Sequence, residues 1–402
     1  MHPVITSTVM PKLQGRLRGD VICPDDARYD RSRRVWNGRI DRYPALIAYC
    51  TGADDVLTTI DFARSVGLSI TVRGGGHSMV GLSVCNGGVV IDLSRMKGIT
   101  IDPLTRIAHV QAGLTLGEFV QATQVYGLAT TTGTVSGTGI GGLTLGGGIG
   151  WLMGKYGLTI DSLLSADLVT ADGQVLSASA TEHPDLFWGL RGGGGNFGVA
   201  TSFTFQLHPV DTVLAGKISY PLSQAREVLR FYREFTRAAP DELTAYVALA
   251  TTSHGIPEIS ISLCYAGPIA LGERLVAPLR TFGSPLVDLV HPRHYLQAIS
   301  SDAGAPDGRH YYEQASSLQE LSDDVIDLIT NYSAARTSPY SQVLIQHVHG
   351  AARRVSPMAT AFALREVPYV MNIVAEWNAD EAQLAEEHAA SIRTSNRPLG
   401  PQ

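Results

Sequence analysis

From Ala45 onward the chain alternates short β-branched runs with stretches of helical spacing. Val56, Ile60 and Ala63 recur at helical intervals behind Asp54-Asp55, which predicts an amphipathic helix capped by those aspartates. Ser69–Val72 is β-branched enough to be a buried strand, Gly88–Leu93 reads as another, and Ile99–Ala112 as two short strands about a turn at Asp102-Pro103. Leu116–Tyr126 returns to helical spacing, and Ser165–Thr170 and Val175–Ser179 flank Ala171-Asp172-Gly173, a hairpin signal. An alternating strand follows at Val199–Leu207. This mixture predicts an α+β fold, without the regular strand–helix alternation of a doubly wound sheet. Past His208-Pro209 the texture changes. Helical Leu222–Arg237 and Ser317–Ser333 alternate with strand-like Leu243–Thr251, Glu258–Ala266 and Val343–Val348, which puts a domain boundary near residue 210. No repeat of fixed period is present.

Three glycine tracts interrupt the first part. In Thr71–Gly81 a β-branched run breaks into Gly74-Gly75-Gly76 and then a single histidine, His77, followed by Ser78. Glycine lets the backbone take φ > 0 and come close to a ligand, so successive amides can point into one concavity and hold phosphate. Half the residues of Gly133–Gly150 are glycine, yet Ile140, Leu143, Leu145 and Ile149 sit inside the tract and Trp151 follows it. That pattern suits backbone packed along an extended ligand rather than a flexible linker. The third tract, Gly189–Gly198, contains Asn196-Phe197. No Gly-x-Gly-x-x-Gly opens a strand–helix unit, which argues for a dinucleotide held by a non-Rossmann fold.

Composition narrows the partners. With 402 residues, 44% of them hydrophobic, the chain can bury a large core, and a net charge of −6 carries no footprint for nucleic acid or an acidic membrane surface. A small molecule is the expected partner. Cys23, Cys50, Cys85 and Cys264 form no Cys-x-x-Cys pair, so free thiols in a reducing cytoplasm are expected. Met1–Pro11 lacks the basic start and apolar core of a secretory signal, and no run approaches the ~20 apolar residues of a membrane span. No sequence feature sets an oligomeric state.

Taken in order and spacing, the motifs resemble the FAD-linked oxidoreductases of the vanillyl-alcohol oxidase and p-cresol methylhydroxylase superfamily, and within it the berberine-bridge-enzyme-like branch. The matching pieces are Arg73–Ser78, Gly139-Ile140-Gly141-Gly142, Gly146–Trp151, Lys155-Tyr156-Gly157-Leu158 with Asp161, Asp185–Trp188 and Gly195–Val199. The resemblance implies a two-part FAD-binding domain over residues 1–210, and a substrate domain over 211–370 built on an antiparallel sheet covered by helices. It implies FAD as cofactor, bonded through a ring nitrogen of His77 to the flavin 8-methyl carbon. Many relatives add a cysteine tether before the middle tract. Here that place falls at about Val135, so His77 is expected to be the single covalent link. Arg73, Gly74, Gly75, Gly76, Ser78, Gly81, Gly133, Thr138, Gly139, Gly142, Leu143, Gly147 and Gly148 are then expected around the pyrophosphate, ribityl chain and ring. Gly198 and Val199 fall at the adenine end, and Trp151 partly covers the cofactor.

The implied activity is hydride transfer from a small alcohol, amine or secondary metabolite to FAD, with reoxidation by oxygen or another acceptor. A proton acceptor is needed beside the substrate. His347 and His349 share one face of the alternating run Val343–Gly350, and His347 takes the place near which some relatives carry a glutamate base. Tyr311 and Tyr312 are the other catalytic candidates; Tyr295 and Gln297 are weaker pocket candidates. A metal role for the two histidines lacks a third ligand. No Gly-x-Ser-x-Gly elbow marks a hydrolase. After Tyr369–Trp377 and the charged helix Asp380–Ile392, the sequence given stops at Gln402, where relatives continue with a segment that returns to the flavin domain. Residues 371–402 are therefore read as the start of that segment. A degenerate relative that holds FAD without turnover is the alternative reading.

Overall fold

A computed structural model describes residues 13–300 and 306–395; the readings of Met1–Pro11 and of the last residues lie outside them. The first unit holds two main sheets. One has the order β1-β2-β4-β3, from β1 (Val21–Ile22), β2 (Leu46–Tyr49), β3 (Ile70–Arg73) and β4 (Val89–Asp92). β4 pairs parallel with both β2 and β3, and the helix Ala53–Ser65 makes the crossover from β2 to β3. Every residue of β4 is buried, as expected of a strand covered on both faces. The crossover helix starts one step earlier than its acidic pair suggested: Gly52 is the N-cap. Asp55 instead accepts hydrogen bonds from the backbone N–H groups of Arg18, Gly19 and Thr51.

The second sheet is antiparallel, in the order β5-β6-β10-β8-β9: β5 (Ile99–Asp102), β6 (Ile107–Gln111), β8 (Leu163–Val169), β9 (Val175–Ser179) and β10 (Val199–Gln206). One face buries Ala108, Val110, Ala166, Leu168, Phe203 and Phe205; His109, Thr204 and Ser177 stand on the other, the alternation of a half-buried sheet. β7 (Leu128–Ala129) pairs with β11 (His208–Pro209), the last strand before the chain enters the next sheet at Thr212.

The second unit is one antiparallel sheet ordered β15-β12-β14-β13-β18-β19-β17, with β16 also pairing β12. Its strands are β12 (Thr212–Pro221), β13 (Leu243–Thr251), β14 (Pro257–Tyr265), β15 (Val287–Asp288), β16 (His291–His294), β17 (His310–Leu318), β18 (Gln342–His347) and β19 (Tyr369–Trp377). Helices Ala225–Arg237, Ile269–Thr281, Asp323–Ala334 and Ala385–Ser395 cover one face, burying Val228, Leu279, Ile326 and Ile392 against Val247, Ile261, Ile345 and Met371. The other face meets the first unit through Tyr246, Cys264 and Val370, packed on Trp151, Leu152 and Leu158. A return loop adds a clasp: the fully buried Arg365 donates to both oxygens of Asp161 at 2.9 and 2.6 Å, and Phe362 packs on Gly147.

Two boundaries differ from the expectation. Residues 317 and 318 end β17 in register with Val370 and Tyr369, and the next helix begins only at Asp323, where the Ser322 side chain accepts from Val325 N–H. β19 is an interior strand between β17 and β18, so the substrate unit extends through Trp377 and does not end at 370; the Ala385–Ser395 helix packs back onto β19.

Candidate active site

β3 ends in Arg73, whose Nε donates to Asp92 Oδ2 at 2.5 Å where β4 ends. Both side chains are buried, so the pair ties two neighbouring strand ends and fixes where Gly74–His77 departs. Arg73 Nη1 also donates to the Arg34 carbonyl, which leaves Arg73 a positioning residue more than a cofactor ligand. The loop then presses against the middle glycine tract. A Cβ on Gly75 would stand 2.3 Å from Gly139 N, and one on Gly139 would stand 2.3 Å from Gly75 N. Only two glycines allow that approach.

His77 faces a cavity of about 830 Å³ bounded by Arg73–His77, by Val135, Ser136 and Gly137, and across the domain junction by Pro306, Asp307, Gly308 and His310. Val135 is thus in the same wall as His77. Burial pushes the His77 imidazole below its usual value, against the opposing pull of the Asp307 charge and the Gly137 backbone. Burial thus favours the uncharged ring, the form whose nitrogen lone pair can bond to carbon.

Trp36 stacks on His77 with ring centroids 5.3 Å apart, and on Tyr311 at 4.1 Å. The Tyr311 backbone is held at both ends by Asn37, which accepts from its N–H at 3.0 Å and donates to its carbonyl at 3.1 Å. Gly38 N–H donates to Arg309, and Gly308 N–H to Trp36. The start of β17 is thereby pinned beside the histidine loop.

The glycines divide by what surrounds them. Gly147 (φ +115°) and Gly148 (φ +83°) are required by the chain itself, because a Cβ would strike Phe362 and Thr159. Gly81 packs on Ile40, Gly133 on Leu143 and Leu116, and Gly198 on the Val169 carbonyl. Gly142 is exposed, with no atom within 4 Å of a Cβ, and Gly74 meets only the Ala112 carbonyl at 3.6 Å. Open space at these two suits a group lying against their backbone. Among the described residues, the buried Thr144 Oγ1 and Trp151 Nε1 have no hydrogen-bond partner. Each such orphan costs about 1–3 kcal/mol unless something polar reaches it. Glycine loops, orphaned polar atoms and a histidine in the cavity wall together fit a large, phosphate-bearing polar cofactor.

Comparisons with known proteins agree. A family described as FAD binding domain matches residues 44–179. The FAD-linked oxidoreductase YgaK of Bacillus subtilis is 32% identical over 370 residues, covering 90% of this chain and 82% of that protein. The chain belongs to the FAD-linked oxidoreductases. It is 36% identical to (R)-6-hydroxynicotine oxidase of Paenarthrobacter nicotinovorans over 290 residues, 71% of this chain and 63% of that protein. The crystal structure of 6-hydroxy-D-nicotine oxidase from Arthrobacter nicotinovorans superposes with a TM-score of 0.84 at 29% identity, covering 94% of this chain and 86% of that one. This FAD-linked oxidoreductase thus has the expected α+β fold, and FAD is its cofactor.

Register decides which candidates face the first unit. Tyr311, Glu313, Asn372, Gln346 and Tyr246 fall on the sheet face that meets it, Tyr246 stacking on Trp151 at 4.5 Å. His347, Tyr312 and Tyr369 fall on the helix-covered face. His347 and His349 stack on each other at 4.7 Å and line a different cavity, so the structure corrects the choice of His347 as the base beside the flavin. Tyr312 is removed by the same parity. Tyr311 stays beside Trp36, its hydroxyl donating to the Pro306 carbonyl and its pKa raised by burial. Ser78 Oγ accepts from Leu82 N–H, and Leu143 lies half-buried in the helix Ile140–Leu145. Trp151 is buried in the junction, and Val199 opens β10.

Trp36, Asn37 and Glu313 were not anticipated. Glu313 is half-buried, its carboxyl has no side-chain hydrogen bond among the described residues, and burial shifts it above the usual carboxylate range. Its place two residues after Tyr311 on one strand is a sequence signal, but only once the face of β17 is known.

Proposed function

We propose that this FAD-dependent oxidoreductase is an oxidase of a small alcohol, amine or secondary metabolite, with the flavin bonded through His77 alone. The carrying observation is the His77 imidazole in the cavity wall, stacked by Trp36 beside the paired glycine loops. Bound FAD supplies the hydride acceptor and passes electrons on to oxygen or another acceptor.

The chain's own residues do the rest. The amides around Gly74–Gly76 and Gly139–Gly142 hold the phosphates without a lysine. Glu313 is our candidate for the proton acceptor, in place of His347: an unpartnered carboxylate raised by burial is a better base near neutral pH than an exposed one. Gln346 and Asn372, joined by a 3.3 Å hydrogen bond on the same face, orient the substrate's polar groups. The described cysteines are free thiols, which supports a reducing cytoplasm as the compartment, and among the described residues no helix is long and apolar enough to cross a membrane.

The test is an anaerobic screen of small alcohols and amines, read as bleaching of the visible flavin band, followed by admission of air. Bleaching and recovery support an oxidase. A protein whose flavin never bleaches with any member of either class favours the degenerate, non-catalytic relative.

A further inference from the structure

A second cavity of about 340 Å³ lies on the helix-covered face of the substrate sheet, where β18 ends and β19 begins. It has no residue in common with the flavin cavity. His347 and His349 form one wall, their rings 4.7 Å apart and within 4° of parallel. Both are more than nine-tenths buried. Thr244 Oγ1 is 3.4 Å from His349 Nε2, but the buried His347 Nδ1 has no hydrogen-bond partner among the described residues. Its Nδ1 is sealed off from water, so the cheaper tautomer carries the proton on Nε2, and the ring lines the cavity.

The rest of the lining is charged. Arg233 and Arg237 come from the helix Ala225–Arg237 and Arg353 from the short helix after β18; Asp241 and Glu320 are the acidic members. Asp241 is already neutralised by Arg354 at 2.5 Å, and Glu320 is exposed. Arg233 and Arg237 share Glu234, and Arg233 also reaches Asp323. Arg353 donates to the Glu366 carbonyl but has no carboxylate partner among the described residues. A cation is poorly served here: no group of three His, Cys, Asp or Glu side chains able to hold a metal exists among the described residues.

We propose that this cavity is a second binding site, for a small oxyanion bearing a carboxylate or phosphate group, held by His347 Nε2–H and the Arg353 guanidinium. The volume equals that of about eleven waters, which sets the ligand at the size of a small metabolite. In the empty cavity the His347 ring is neutral, its pKa pushed down to about 3 by burial, with the charges of His349 and Arg353 adding to the effect. An anion beside it favours the imidazolium, so binding takes up a proton and tightens as pH falls.

The experiment is calorimetric titration of the purified flavoprotein with inorganic phosphate and, separately, with malonate, at about pH 8 and about pH 6. Saturable binding, tighter at the lower pH, is expected, with the better probe identifying the oxyanion. Arg353→Ala, an exposed position, should weaken it about tenfold or more. His347→Gln should weaken it and flatten its pH dependence, while the flavin spectrum of both variants stays unchanged. No saturable heat with either ion at either pH, or binding that both variants leave intact, overturns the site.

Discussion

The indole of Trp36 stacks on the imidazole of His77, with 5.3 Å between ring centroids and 14° between planes. Its other partner is Tyr311, at 4.1 Å, so one indole joins the histidine loop to the start of β17 in the substrate sheet. An aromatic pair of this kind contributes about 0.5–1.5 kcal/mol beyond its buried area. Trp36→Ala should therefore lower the thermal midpoint and reduce the fraction of protein carrying flavin, whereas Trp36→Phe should retain most of both. Absorbance of flavin relative to protein, with a melting curve, checks this.

The Arg73–Asp92 pair positions the same loop from below. Removing one partner leaves the other charge buried and unpaired, which costs about 3–5 kcal/mol. Asp92→Ala should show that loss in denaturant unfolding, together with poor flavin retention. An Asp92→Ala protein as stable as the parent would mean that the two strand ends are held by something else.

Gly142 and Gly75 should separate folding from cofactor binding. A Cβ on Gly142 meets nothing in the chain, and alanine suits a helical position better than glycine by roughly 0.5–1 kcal/mol. Gly142→Ala should thus fold at least as stably without flavin but hold FAD more weakly. Gly75→Ala must push Gly139 aside and should lower both. Apo-protein melting and FAD titration on the two variants give the comparison.

His347 and His349 make the fold acid-sensitive. Burial pushes their pKa values down to about 3 and about 4. The unfolded chain binds these protons at the ordinary histidine pKa, so their stability contribution is full above about pH 6.5 and is lost as pH falls through the window down to the folded values. By about pH 5 each ring should have cost about 2 kcal/mol. Unfolding midpoints at about pH 7 and about pH 5 should diverge in the parent and by about half as much in His347→Gln, where His349 still contributes.

Glu313→Gln should slow flavin reduction by substrate about a hundredfold or more, the usual scale of a lost proton acceptor, and change flavin content little. Rapid-mixing reduction under anaerobic conditions measures it. An unchanged rate would remove Glu313 from the chemistry.

Much of the site was legible because glycine leaves a mark in sequence. Gly74–Gly76 and Gly139 stand out by composition, and the structure shows why: Gly75 and Gly139 touch through backbone. Three strands of the substrate sheet, β13, β14 and β18, were also visible, yet their faces were not. In Val343-Leu344-Ile345-Gln346-His347 apolar residues occupy both parities, because the sheet is covered by helices on one side and by the first unit on the other. Nothing local then tells whether Gln346 or His347 turns toward the flavin, and a one-residue shift of parity exchanges the whole set. The Ser317–Ser333 segment misled for a related reason: its first residues complete a strand whose partner, β19, lies some fifty residues on. Asn37 was silent as well. Its contact with Tyr311 spans 274 residues, and no local pattern encodes a partner at that distance.

The central claim is that His77 alone anchors the flavin. Acid precipitation of the purified protein, followed by proteolysis and mass measurement of the peptide containing His77, tests it most directly. The account predicts a yellow pellet, with the flavin mass on that peptide and on no other, and a His77→Ala variant whose flavin is released into the supernatant. A colourless pellet with free FAD in solution, or flavin mass on a second peptide, would contradict it.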